Sequence, residues 1–190
     1  MHTDTFTPED MLQAAIGALQ RSSEDLQTSL NKLPAAIYVT DPDGILTHYN
    51  KACVAFAGRT PRIGQDTWCV TWKLYTEDGE FLPHDQCPMA VAIREQRAIR
   101  GIEAVAERPD GSHVSFRPYP TPLFDEAENL VGAVNLLLDV RGGNQAQSLR
   151  AQAARYRRLV NLMPGHQSRQ ELDSMATSYD QQALKIEQAN

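Results

Sequence analysis

Nowhere in the 190-residue chain does an uninterrupted apolar stretch approach the ~20 positions that a helix needs to cross a bilayer. A helical membrane span is thereby excluded. Met1–Asp10 carries acids and threonines where an export signal would carry a basic run followed by a hydrophobic one, so the expected compartment is the cytoplasm. Cysteine is scarce as well: Cys53, Cys69 and Cys87 are odd in number and show no Cys-x-x-Cys spacing. A disulfide framework is not expected, and the three read as reduced thiols. Also missing are Gly-x-Ser-x-Gly, a glycine-rich phosphate loop and His-Glu-x-x-His. The chain is not expected to be an enzyme by itself.

Positive charge is the next shortage. Eighteen Lys and Arg stand against 24 Asp and Glu, a net charge of −6. Residues 1–33 carry 2 bases and 5 acids, residues 34–140 carry 9 and 15, and residues 141–190 carry 7 and 4. The central body is therefore acidic, which argues against a nucleic-acid surface, while the cationic end can lie against that body or against an acidic partner. Arg150, Arg155, Arg157 and Arg158, interleaved only by Tyr156, read as a solvated helix face. With 42% apolar residues, one core of ordinary size with helical extensions fits the length better than two full domains.

What the chain does have is a repeated turn device. Asp41-Pro42-Asp43-Gly44 separates the β-rich runs Ala36–Thr40 and Ile45–Tyr49, with proline presetting φ, Asp43 able to bond its own backbone, and Gly44 free to take positive φ. Arg108-Pro109-Asp110-Gly111 repeats the pattern, and Asp125–Asn129 does so more loosely. Strands are expected at Ile99–Glu107, Ser112–Leu123 and Leu130–Val140 besides the first two, giving a five-stranded antiparallel sheet. Leu130–Val140 is aliphatic on both faces, so it should be central or covered.

Helices frame this sheet. Thr7 caps a helix with Pro8 in its first turn and Glu9 and Asp10 at the positive end of its dipole. Leu12, Ile16, Leu19, Leu26, Leu30 and Leu33 follow a 4-3-4-3 repeat if Ser23 takes one slot, the seam of a dimeric coiled coil of about three heptads. The alternative is an amphipathic helix folded onto its own sheet. Asn50–Phe56 reads as a short helix stopped near Gly58, and residues 61–83 as irregular backbone plugged by Trp68 and Trp72. A longer helix should start near Asp85 as cap and end around Gln96. Gly142-Gly143 marks an edge, beyond which Leu149–Met163 and a segment opened by the Ser168/Glu171 capping box predict a helical hairpin; a single helix or a partly disordered arm is the alternative.

The hairpin Leu33–Asn50, the segment Leu82-Pro-His-Asp-Gln-Cys-Pro-Met-Ala90 and the run Gly101–Gly111 followed by Val131-Gly-Ala-Val-Asn135 resemble PAS domains, in particular those placed ahead of bacterial histidine kinases. The resemblance spans about Leu33 to Val140. It implies an α+β fold, a cupped antiparallel sheet under short helices, in a sensor module. The organisation is then residues 1–33 as dimerising helix, 34–140 as PAS domain and 141–190 as helical extension. About fifty residues after the PAS-like part are too few for a kinase catalytic domain, so output is expected through a partner such as a histidine kinase or regulator.

Such sheets cup a cavity, and its candidate lining residues are Tyr38, Trp68, Trp72, Met89, Ile93, Phe116 and Asn135, with core packing as the plainer reading of the apolar members. Asn135, amid aliphatics, needs backbone, water or a ligand as partner. The cofactor is left open. His84 and Cys87, with Cys69 upstream, are one ligand short of a zinc set; His84 lies at the edge of the helix on which haem-binding relatives carry a histidine; the sequence around Cys53 and Cys69 does not match the Asn-Cys-Arg-Phe-Leu-Gln type motif of flavin-binding relatives. Three readings follow: a dimeric sensor or adaptor with a small-molecule ligand possible, a haem, flavin or metal sensor, and a ligand-free dimerising scaffold.

Overall fold

The computed structural model describes residues 7–20, 26–140, 150, 153–154, 156–158, 160 and 166–188. In chain order it contains α1 (Pro8–Leu19), α2 (Leu26–Asn31), β1 (Ala36–Thr40), β2 (Leu46–Tyr49), α3 (Lys51–Ala57), β3 (Lys73–Thr76), a 3-10 turn at His84–Gln86, α4 (Pro88–Glu95), β4 (Ala104–Glu107), β5 (His113–Pro118), β6 (Thr121–Phe124), β7 (Leu130–Asp139) and α5 (His166–Gln188). The strands form one antiparallel sheet in the order β2-β1-β7-β5-β4-β3, with β6 also paired to β7.

The turns close this sheet as their residues require. At the first hairpin Asp41 N–H donates to the Ile45 carbonyl at 3.0 Å, and Gly44 takes φ +82°. The carboxylate that locks the turn is that of Asp41, not Asp43: its Oδ1 accepts from Asp43 N–H at 3.0 Å and Ile45 N–H at 2.8 Å. Gly44 is also needed for space, because a Cβ there would lie 2.2 Å from the Trp68 ring. Arg108–Ser112 and Asp125–Asn129 close the same way, each with an aspartate accepting backbone N–H groups two or more residues on.

The sheet has seven strands where five are expected, for two reasons. Pro118 and Pro120 interrupt the long fourth strand, since proline has no N–H to give the ladder, and leave β5 and β6 on successive parts of β7. Lys73–Thr76, expected to be irregular, forms β3 on β4, and its far side is closed by its own hairpin through Thr76 N–H to the Glu80 carbonyl and Leu82 N–H to the Leu74 carbonyl. The expected strand from Ile99 begins only at Ala104. Likewise α4 starts at Pro88 with Cys87, not Asp85, in the cap position. In α5 the helix opens at His166, ahead of the Ser168/Glu171 capping box; Gly142-Gly143 and Pro164-Gly165 lie outside the described residues.

Strand alternation then sorts the core into two layers. Toward one side point Ala36, Tyr38, Leu74, Ala104, Ala106, Val114, Phe116, Ala133 and Leu137, packed on Cys53 and Phe56 of α3 and Met89, Ala90 and Ile93 of α4. Toward the other point Ile37, Val39, Val134 and Leu136, covered by Met11, Leu12, Ala15, Ala18, Leu26 and Leu30. This corrects the coiled-coil expectation. Leu12, Leu26 and Leu30 are buried in their own chain, Ile16 and Leu19 are half-buried against the same cluster, and the 4-3-4-3 pattern serves a helix-on-sheet contact. The Ser23 slot lies outside the described residues.

Asn50 fastens this layer. Its side-chain oxygen accepts from Ile37 N–H at 3.0 Å and Cys53 N–H at 3.3 Å, and its amide donates to Leu30 O at 3.0 Å and Ala35 O at 2.8 Å. One carboxamide thus ties α2, β1 and α3. Because Leu30 sits wholly inside, Leu30→Ala should lower stability by about 2–5 kcal/mol in a urea melt and leave the mass by light scattering unchanged. A variant that melts like the wild type but changes its mass would restore the dimer seam.

Candidate functional site

Tyr38 occupies the centre of the cupped layer and is fully buried. Its hydroxyl donates to the Trp68 carbonyl at 2.9 Å and accepts from Asn135 Nδ2 at 3.0 Å. The Asn135 oxygen in turn accepts from Tyr119 N–H at 3.0 Å, at the break between β5 and β6. β1, β7, the β5–β6 break and the loop at Trp68 are therefore joined by one chain of bonds. Trp68 has left-handed backbone at φ +66°, a conformation that costs a non-glycine residue about 1–3 kcal/mol, and its carbonyl is the group that meets Tyr38. Burial pushes the Tyr38 phenol well above its ordinary range, so it stays a neutral donor and acceptor.

Of the seven candidate pocket residues, five meet in this packed interior. Tyr38, Met89, Ile93, Phe116 and Asn135 are buried, and Phe116 stands edge-on to Phe56 with centroids 5.2 Å apart. Trp68 is half-buried against them. Trp72 leaves the set: it is 45% exposed, with the Lys73 ammonium 4.3 Å from its ring centroid. Asn135 finds protein partners, as just described. A groove of about 290 Å³ beside Trp72 is lined by Arg59, Arg62, Asp66, Thr71 and His84, where both arginines already pair with Asp66.

The thiols belong to the same interior. Cys53 donates to Ile37 O at 3.1 Å and Cys69 accepts from the Thr71 hydroxyl at 3.1 Å. Burial pushes Cys53 and Cys87 up to about 12, so neither carries the thiolate that nucleophilic attack requires at neutral pH. His84, half-buried, has its imidazole held below its ordinary range by burial and by the Arg59 charge.

A second constellation, absent from the sequence reading, lies on the opposite face of β3, β4 and β5. Glu107 accepts from Lys73 Nζ at 2.9 Å and from the Tyr75 hydroxyl at 2.6 Å, and its carboxylate stands 3.8 Å from His113 Nε2. Cross-strand register brings Lys73 and His113 opposite Glu107 from either side. The His113 ring meets Tyr179 of α5 edge-on at 5.2 Å, Tyr179 stacks on Tyr156 at 5.5 Å, and Arg157 reaches Asp180 at 2.6 Å. These contacts lay α5 on the half of the outer face that α1 and α2 leave uncovered. Alternation alone did not reveal the site, because Lys73, Tyr75, Glu107 and His113 come from three strands and read separately as ordinary surface positions.

Burial works against a charge on Glu107, but the Tyr75 hydroxyl and the Lys73 ammonium outweigh it and hold the carboxyl below its ordinary range. His113 is held below its ordinary 6.5 by burial, against the pull of Glu107 and of Gln182 on α5 and with Lys73 adding to the depression. Cover by α5 disfavours the proton on this imidazole, so the contribution of His113 to docking is present where the ring is neutral and weakens as pH falls below the ordinary histidine range. Hydrogen exchange of α5 amides, corrected for intrinsic rates, should show less protection at about pH 5.5 than at about pH 7.5, and His113→Gln should flatten the difference. Equal protection at both values in the wild type would refute this coupling.

No family model matches the chain, and no curated protein does. Solved structures do. The PAS domain of a protein from Colwellia psychrerythraea is 23% identical, covering 60% of this chain and 92% of that one with a TM-score of 0.46. The PAS domain of an HTR-like protein from Haloarcula marismortui is 20% identical over 60% and 94%, at 0.42, and the LOV domain of the blue-light activated histidine kinase from Erythrobacter litoralis is 20% identical over 57% and 97%, at 0.43. By its own layers, with an antiparallel sheet cupped under short helices, the chain carries a PAS-like fold.

Proposed function

We propose that this chain is a PAS-type sensor or adaptor of bacterial signal transduction, acting through protein–protein contacts and not through catalysis of its own. The observation that carries this reading is the division of the outer sheet face between the two flanking helical segments: α1 and α2 on β1 and β7, and α5 on β5 through His113 and Tyr179. β7 and β5 are hydrogen-bonded neighbours. A partner that displaces one segment changes the surface on which the other rests, and coupling of this kind is a bias between packed arrangements. Fold alone does not assign a role, and the reading rests on this geometry.

Residues 1–33, 34–140 and 141–190 are then a sheet cover, a sensor body and an output arm. A homodimer of this chain has to use a surface other than Leu12, Leu26 and Leu30, which are inside the protomer. A histidine kinase or its regulator is the partner proposed. Among interior residues the polar groups of Tyr38 and Asn135 bond to each other and to backbone, which supports the adaptor reading over a haem, flavin or metal sensor.

The test is autophosphorylation of the histidine kinases of the source organism, one at a time, with and without the full chain. At least one rate should change, and removal of residues 141–190 should abolish the change. No effect on any kinase, with a flavin or Soret band in the visible spectrum of the purified chain, would replace this reading with the cofactor sensor.

A further inference from the structure

Between the β3 hairpin and α4 runs a groove of about 330 Å³ that none of the preceding interactions uses. Leu82, Pro88, Val91 and Ile102 supply its apolar lining, and Glu77, Asp78 and Glu103 its charge; among the described residues no base lines it. Arg117 already engages Glu103, but no hydrogen bond or ion pair among the described residues reaches the carboxylates of Glu77 or Asp78. Ile102 is 42% exposed, and Phe81, next in the chain to Leu82, is 55% exposed and stands edge-on to Tyr75 at 6.0 Å. A large aliphatic side chain left half in water beside unpaired carboxylates, at the end of an acidic body, is complementary to an apolar group flanked by cations.

We propose that this groove is a docking surface for a cationic amphipathic segment of a partner protein, seating one apolar side chain among Leu82, Val91 and Ile102 while lysine or arginine heads reach Glu77 and Asp78. This deepens the adaptor reading and rests on it for the existence of a partner. At about 330 Å³ the groove stands at the small end of the roughly 300–1,000 Å³ that ligand clefts span, room enough for one large anchoring side chain. Hydrophobic burial supplies the anchor and the two free carboxylates supply orientation. The occupant is expected to come from another protein: Arg157 of this chain is already paired with Asp180 of α5, beside the Tyr156–Tyr179 stack.

The experiment uses the full chain and a fluorescent leucine–lysine amphipathic peptide of about eighteen residues, with a leucine–glutamate peptide as control, followed by anisotropy from about 0.02 to 0.3 M salt. The lysine peptide should bind and weaken with salt, and the glutamate peptide should not bind. Glu77→Gln with Asp78→Asn, and separately Ile102→Ser, should each weaken binding by about tenfold or more, with melting temperatures near wild type because all three side chains are exposed. Equal affinity in both variants, or no binding by the wild type, overturns the proposal. A dimer by light scattering that Ile102→Ser dissolves would instead make a second copy the occupant and overturn it too. If the groove variants still change the kinase rate in a tail-dependent way, the groove fails while the adaptor reading stands.

Discussion

A strand that is aliphatic on both faces has to be dried on both faces, and β7 sets that demand for the whole chain. Ala133 and Leu137 point into the cupped layer while Val134 and Leu136 point out of it, each wholly or almost wholly withdrawn from water. Burial of aliphatic side chains of this size is worth about 1.5–3 kcal/mol each, so leaving the outer pair wet would remove much of a small domain's net stability. The amino-terminal leucines therefore serve the sheet. The crowding is tight enough that Gly132 has no room for a side chain, since a Cβ there would meet the Thr40 carbonyl at 2.2 Å.

The polar groups inside follow from the same demand. A buried carboxamide or phenol is costly unless its partners are fixed, and here they are: Asn135 and Tyr38 bond to each other and to the backbone of Tyr119 and Trp68, while Asn50 binds four backbone groups, one each in α2, β1 and α3 and one at Ala35 between α2 and β1. These networks give the two layers a defined register on each other. On the outer face the chemistry changes half-way across, from aliphatics on β1 and β7 to Lys73, Tyr75, Glu107 and His113 on β3 to β5. The first half takes leucines, and the second takes the aromatic and polar side of α5. A single sheet thereby holds α1 and α2 on one half of this face and α5 on the other with interactions of different kind, one apolar and the other built around a buried imidazole.

The hairpins were legible in the sequence because Asp-Pro-Asp-Gly and Arg-Pro-Asp-Gly state a local backbone geometry, and α3 was legible because Asn50 and Gly58 are its cap residues at either end. Both faces of β7 were legible from its unbroken aliphatics. The leucine repeat was not decisive, because a stripe that fits a partner helix also fits a sheet, and the choice depends on what else needs cover. β3 was hidden by poor periodicity between Trp72 and Phe81, whose rings stay largely outside. The polar cluster was hidden because its members lie up to 40 positions apart in sequence, from Lys73 to His113, and only strand register brings them together. Asn135 was marked as needing partners, and its partners proved to be Tyr38 and the backbone of a strand break that two prolines create.

The claim beneath all of this is that α1 and α2 cover the outer face of their own β7. It is tested most directly by isotope-filtered nuclear Overhauser spectroscopy on a mixture of labelled and unlabelled full chain. Contacts from the methyls of Leu12 and Leu30 to those of Val134 and Leu136 should appear within labelled molecules. Contacts found only between labelled and unlabelled molecules would place the leucines on another copy and contradict the account.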